Sequence, residues 1–215
     1  MKQKFIFTLA LLLFFLPQKA SAFCNAMRTQ VYITTNPGIA QYITTKSRRE
    51  FLKYASTPAS PNTVGLTVAR LSYSGKPQPN IEEEDGQVCV SLGAIDIKLG
   101  YEDLTVYIDK KYPISSCEYK VTKRHEKQHV AIYQQAMIFF KPDIEKQVQE
   151  SLKQLRPQIV KTPQERDRVI VEQYQKVMDD LLPLIEHINK VTAQKNQQLD
   201  SPESYKRTTA LCKNW

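Results

Sequence analysis

His125-Glu126-Lys127-Gln128-His129 brings two imidazoles and a carboxylate into little more than one helical turn. On a helix, residues i and i+4 lie one turn apart on one face, so both rings can reach a single metal ion. Zinc accepts imidazole nitrogen at about 2.0–2.1 Å, and a catalytic zinc keeps one position open for water. The ion lowers the pKa of that water toward about 7, and a neighbouring carboxylate can take its proton as the water attacks a carbonyl. Glu126 stands where such a base is needed, and it can pass the proton on to a leaving amine. His125 and His129 are therefore the expected ligands, Glu126 the expected catalytic residue and Zn2+ the expected cofactor.

The bland account of the same residues is a solvated helix face. Two observations weigh against it. The chain has only three histidines, and two fall in this motif. The histidine face also continues through Ile132, Ala136 and Phe140 at i+3/i+4 steps, while Lys127, Gln128, Gln134 and Gln135 lie toward the other side. Core-facing imidazoles beside a glutamate need a partner to offset desolvation. A metal is the simplest partner, and buried hydrogen bonds are the competing one.

A catalytic zinc usually has a third protein ligand. The extended pattern H-E-x-x-H-x-x-G-x-x-H is absent, since Ile132 and Gln135 occupy its glycine and third histidine positions. The elements that carry the motif narrow the search. From residue 121 to about 158 the apolar spacing is helical, with Ile144, Val148, Leu152 and Leu155 in the stripe and Pro142 as a kink or new start. Thr162-Pro163-Gln164-Glu165 has the N-cap, first-turn proline and capping-box acid of a second helix, about 163–198. Ile170, Tyr174, Val177, Leu181, Leu184, Ile188 and Val191 form its apolar stripe, and Pro183 should bend it. Two helices of equal length joined by a short turn fold back as an antiparallel hairpin. With the turn near 160, residues 125 and 129 face roughly 195 and 191. Glu172 then lies about 30 Å away, and Asp179 and Asp180 about 20 Å, at ~1.5 Å per residue. Asp200, just before the helix start Ser201-Pro202, is the favoured third ligand, with His187 and Glu203 as alternatives. Tyr107, Tyr112, Tyr119, Tyr133 and Tyr205 surround the motif in sequence, and one of them could steady an oxyanion.

Ahead of residue 117 the pattern changes to period-2 alternation, the mark of half-buried strands. Val31–Thr35, Thr63–Val68, Val88–Leu92, Ile95–Leu99 and Leu104–Asp109 read as separate strands, with a short helix at Ser47–Tyr54. Lys76–Asp85 holds two prolines and an acidic run and reads as a loop. The expected fold class is α+β: a small mixed or antiparallel sheet packed on the HExxH helix, followed by the helical hairpin.

Lys2 and Lys4, the apolar run Phe5–Leu16 and the small-residue end Ala20-Ser21-Ala22 are the parts of a secretory signal peptide, cut after Ala22. The run is shorter than the roughly 20 residues a membrane-spanning helix needs. Residues 23–215 then form one domain, strand-rich over 23–116 and helical over 117–215, periplasmic or secreted and without a stable membrane anchor. Cys24, Cys89, Cys117 and Cys212 are an even set that suits two disulfides in an exported chain, and the expected pairing is Cys89–Cys117 with Cys24–Cys212. The formal charge is +8, and without the three leader lysines it is +5, spread along the chain. No basic block with interleaved aromatics appears, so nucleic acid is not an expected partner.

Tyr112-Pro113-Ile114-Ser115-Ser116-Cys117-Glu118-Tyr119, followed by the HExxH helix and Val130-Ala131, resembles a family of bacterial proteins described as secreted zinc-dependent proteases, largely uncharacterised. The likeness covers the strand from Val88, the helix to Phe140 and the stretch Leu199–Tyr205. That last stretch is similar to a Tyr-Asp segment of such proteins, with Leu199 in place of the tyrosine; Gln128 stands where relatives often carry glycine. The resemblance implies a zincin-like arrangement in which an edge strand, here Leu104–Asp109, lines a cleft beside the metal helix and receives an extended peptide by main-chain hydrogen bonds.

The expected function is an exported zinc-dependent metallohydrolase acting on a peptide or protein substrate. Two other readings compete with it. One is a non-catalytic periplasmic binding or scaffold protein with a structural metal. The other is a protein that sequesters or delivers an exchangeable ion.

Overall fold

The computed structural model describes residues 24, 28–55, 63–213 and 215; the leader read in residues 1–22 lies outside them. The described elements run β1 (Gln30–Asn36), β2 (Gln41–Ile43), α1 (Arg48–Phe51), β3 (Gly65–Glu84), β4 (Gln87–Ile108), α2 (Cys117–Gln154), β5 (Gln158–Val160), α3 (Pro163–Leu199) and α4 (Pro202–Thr209). They make a mixed five-stranded sheet and four helices.

Asp85 and Gly86 both adopt positive φ, 51° and 72°. That backbone closes a two-residue hairpin whose twist matches the flanking strands. The hairpin joins β3 to β4, two antiparallel strands of 20 and 22 residues. The stretch 76–85, read from sequence as a loop, is therefore mostly strand. Its prolines are tolerated because, among the described residues, β3 pairs on one side only, and an edge strand can spare the missing N–H.

The three strands expected within 88–109 are one strand. The apparent breaks are β-bulges: Gly93 opposite the Gln78/Pro79 step and Glu102 opposite the Arg70/Leu71 step. Each inserts one unpaired residue and so reverses which parity of side chain faces the helices. The apolar face accordingly runs through Val90 and Leu92, switches to Ile95, Ile97, Leu99 and Tyr101, and switches again to Leu104, Val106 and Ile108.

β4 is the centre of the sheet. β3 covers one side, and β5, β1 and β2 follow one another along the other, with β1 and β2 parallel to it. Leu104–Asp109 is consequently not an edge, contrary to expectation; it is flanked by β2 and by the start of β3.

α2 begins at Ser116, whose hydroxyl accepts from Tyr119 N, and α3 at Thr162, whose hydroxyl accepts from Glu165 N. The Glu165 carboxylate reaches back to Lys161 N at 2.7 Å, one residue earlier than a capping box would place it. Pro142 and Pro183 sit inside α2 and α3 without ending them. Both lie on exposed faces, where water can satisfy the carbonyls they leave unpaired. Ala136, Met137, Phe140, Ile144 and Val148 of α2 meet Val177, Leu181, Ile185 and Ile188 of α3 over β4 in the main core. Ser151 bonds Asp180, the Phe140 ring meets His187, and His129 bonds Asn196, so the contacts climb one helix as they descend the other.

Both expected disulfide pairings are overturned: the bonds are Cys24–Cys89 and Cys117–Cys212. The second follows from the path of α4. Asp200 meets His125, and the eight residues of α4 then bring Cys212 to the start of α2. Two disulfides are what an oxidising, extracytoplasmic compartment favours. No helix among the described residues is long and apolar enough to cross a membrane.

Candidate metal centre

His125, Glu126 and His129 lie on the face of α2 that packs on the sheet, and all three are buried. Lys127 and Gln128 are exposed, as helical spacing requires. The Nε2 atoms of His125 and His129 are 3.1 Å apart. Asp200 Oδ1 lies 3.0 Å from the first and 3.1 Å from the second. Asp200 arrives there as the residue that ends α3, its own N–H bonded to Asn196 O, while Ser201 caps α4.

His129 Nδ1 faces Asn196 Oδ1 at 2.8 Å. An amide oxygen only accepts, so Nδ1 carries a proton, and in the neutral ring Nε2 then offers a lone pair. Outer partners of this kind fix the tautomer and aim of metal-ligating histidines. With both rings neutral and their Nε2 lone pairs turned inward, the three atoms of this near-equilateral triangle would repel one another unless a proton or a cation lay among them. His125, His129 and Asp200 are thus a group that could hold a metal ion. Two imidazoles and one carboxylate serve zinc hydrolases and also non-haem iron proteins.

Of the alternative third ligands, His187 packs edge-on against Phe140 and is exposed, and Glu203 is exposed on the first turn of α4. Neither belongs to the group. The expected facing of 125 and 129 with about 195 and 191 is off by roughly one turn. β5 is inserted between the helices and moves the point of reversal toward residue 163.

Glu126 Oε2 accepts from the Thr67 hydroxyl of β3 at 2.7 Å. Burial pushes the Glu126 carboxyl above its usual range, against the pull of both imidazoles and of Thr67. For His129, burial opposes the charged form, but the Asp200 hydrogen bond and the Glu126 charge outweigh it and raise its pKa. Burial likewise opposes the Asp200 charge, yet hydrogen bonds from both rings hold its carboxyl well below the carboxylate range.

Gly65 explains how Glu126 fits. A Cβ at this position would meet Glu126 Oε1 at 2.5 Å and Thr122 Cγ2 at 2.6 Å. A lone glycine inside the β-branched run 63–68 was the available signal of that close approach. Thr67, Asn196 and Thr122 carry no such signal, because their roles arise only when β3 and α3 meet α2.

Among the five tyrosines, Tyr205 of α4 reaches the group. Its hydroxyl donates to Asp200 Oδ1 at 3.2 Å, and its ring tilts against His125 at 5.6 Å. Burial, then the Asp200 charge, raise its pKa, so the phenol keeps its proton. The others are packing residues: Tyr107 stacks on Phe51 and Tyr54, Tyr133 meets Tyr101, Tyr119 lies in the core with Val130, and Tyr112 abuts Trp215.

A small cleft, with about 20 Å³ of space or room for about one water molecule, opens onto His125 and Glu126, bounded by Gly65, Thr122, Tyr205 and Trp215. Comparison of the chain with protein-family models, curated proteins and solved structures returns no match.

Proposed function

We propose that this chain is an exported zinc-dependent metallohydrolase that cleaves peptide bonds, with His125, His129 and Asp200 as ligands and Glu126 as general base. The observation that carries this reading is the 3.0–3.1 Å triangle of two imidazole nitrogens and one carboxylate oxygen, with a buried glutamate beside it on the same cleft. Zinc is preferred to iron because the neighbouring carboxylate supplies proton transfer, which hydrolysis needs. Bound there, zinc would polarise a substrate carbonyl and acidify a water.

The chain's own groups divide the remaining work. Thr67 occupies Oε2 of Glu126, which leaves Oε1 to take a proton and return it to the leaving amine. A carboxyl pushed upward by burial is matched to proton transfer nearer neutral pH than an exposed glutamate. Tyr205 keeps a phenolic proton beside the reacting region and can donate it to developing negative charge. Gly65–Ala69 of β3, rather than Leu104–Asp109, is the strand beside the helix, and its outer side is unpaired among the described residues. An extended peptide could add there by main-chain hydrogen bonds. Export agrees with the two disulfides.

The test is metal content together with one substitution. Purified protein should hold about one zinc per chain, and Glu126→Gln should keep it while losing hydrolysis of a peptide library by about 10²–10⁴-fold. Full hydrolysis in Glu126→Gln would remove Glu126 as base. Zinc retained with no hydrolysis by the parent chain would favour the scaffold reading, and iron in its place would overturn the zinc assignment.

A further inference from the structure

The positive excess of this chain is not spread evenly; the fold gathers it at one corner. The 30 cations less the three leader lysines leave 27, against 22 acids. Residues 110–124 are the approach to α2 and its first two turns, and residues 202–215 are α4 and the segment after it. Together they carry eight of those cations and two of the acids, so the other 19 cations and 20 acids nearly cancel. Cys117–Cys212 joins the two segments, and Tyr112 meets the Trp215 ring edge-on at 6.0 Å.

Cys117, Lys120 and Arg124 are exposed and recur at helical spacing, so they share the outer face of α2. Lys120 stands near the positive end of the helix dipole and makes a like-charged i,i+4 pair with Arg124, an arrangement that works against helix stability. Of the eight cations, only Lys110 pairs with an acid among the described residues, Glu50 at 3.7 Å.

Three large apolar side chains stand out among these charges. Ile114 is 67% exposed, Leu211 55% and Trp215 39%. Ile114 lies in the turn closed by Ser116 N and Pro113 O, just before Cys117, and Leu211 immediately precedes Cys212, so the disulfide brings them together. Exposed aliphatic side chains ringed by unpaired cations match a surface that offers anionic headgroups and an acyl boundary at once. An acidic polymer would answer the cations but leave Ile114 and Leu211 in water.

We propose that this corner is a docking surface for an anionic lipid bilayer, with Ile114, Leu211 and Trp215 entering the headgroup region and the surrounding lysines and arginines meeting lipid phosphates. The surface is separate from the metal group, and the proposal does not depend on the peptidase reading. Trp215 also borders the cleft onto His125 and Glu126, so docking places the metal group close to the membrane surface.

Trp215 is the only tryptophan in the chain, so its emission reports the contact directly. The protein is titrated in low salt with phosphatidylcholine vesicles containing about one-third phosphatidylglycerol, and with pure phosphatidylcholine vesicles. The anionic vesicles should bind it and shift its emission to the blue. Neutral vesicles should bind about tenfold more weakly or worse, and about 0.5 M salt should weaken anionic binding by a similar factor. Lys111→Gln and Lys213→Gln should each weaken partitioning about fivefold. Ile114→Ser combined with Leu211→Ser should weaken it about tenfold, with the salt dependence kept. Lys153→Gln, at the far end of α2, removes the same charge and should change nothing. All five positions are exposed, and a thermal melt checks that each variant folds. Soluble polyglutamate is the rival occupant: binding it as tightly as the anionic vesicles, with the Ile114→Ser, Leu211→Ser variant unaffected, would make the partner an acidic macromolecule and overturn the proposal. Equal binding to neutral vesicles, no binding to anionic ones, or an equal loss in Lys153→Gln would overturn it too.

Discussion

The first half of α2 and its second half bury the same face of one helix against one sheet, with opposite contents. From Ala136 to Val148 the buried side chains are Ala136, Met137, Phe140, Ile144 and Val148, packed on β4 and α3. From Thr122 to His129 they include a hydroxyl, two imidazoles and a carboxylate. Apolar groups stabilise simply by leaving water. Polar ones stabilise only if each finds a partner, and here the imidazoles and the carboxylate find theirs on different elements, Thr67 of β3, Asn196 of α3 and Asp200 of the α3–α4 junction, while the Thr122 hydroxyl finds none. The second half of the helix holds the fold, and the first half is held by it.

Four experiments would break or sharpen that contrast. The largest stability effect belongs to the apolar half: Ile144 is fully buried, and Ile144→Ala should cost about 2–5 kcal/mol in urea unfolding with metal stoichiometry unchanged. Next is Gly65→Ala, where the new methyl must displace Glu126 or Thr122. A loss of about 1–3 kcal/mol in the same assay is expected, with hydrolysis impaired well beyond that of a stability-matched core variant. Asn196→Ala frees His129 Nδ1 and should weaken metal affinity about 10–100-fold in a chelator competition, with little change in unfolding.

The smallest effect is the pH dependence of the metal-free chain. Asp200 has a lowered pKa, so its contribution is present above its ordinary value of 3.8 and is lost as pH falls through the folded value. His129 has a raised pKa, so its contribution is full below its ordinary value of 6.5 and is lost as pH rises through the folded value. The melting-temperature difference between the metal-free chain and Asp200→Asn should therefore be greatest between pH 3.8 and 6.5 and shrink on both sides. A flat difference would mean that the His129–Asp200 pairing contributes nothing without metal.

The same contrast explains what the sequence could disclose. The helix that buries His125 and His129 on one face was legible because its signal is local: i, i+4 spacing, an apolar stripe and scarce histidines. Asp200 was legible as a favoured choice among three, since the helical stripes limit which acids can return to residue 125. Asn196 and Thr67 were not, because each meets its partner only across at least 59 residues of chain. In the sheet, Pro77, Pro79, Gly93 and Gly100 read as interruptions, yet an edge position absorbs the two prolines and a bulge absorbs Gly93. The signal that could have corrected this was Asp85-Gly86, a dipeptide suited to a two-residue hairpin. The cysteine pairing needed the path of α4, which follows from the Asp200–His125 contact and not from spacing.

The central claim is that one divalent ion binds among His125, His129 and Asp200. Anomalous diffraction at the zinc edge, from crystals of protein purified without chelator, tests it directly. The account predicts a single peak bonded to the Nε2 atoms of both histidines and to the Asp200 carboxylate, with Glu126 close by and not coordinated. Density without a peak there, with Asp200 hydrogen-bonded to both rings and no ion between them, would contradict it.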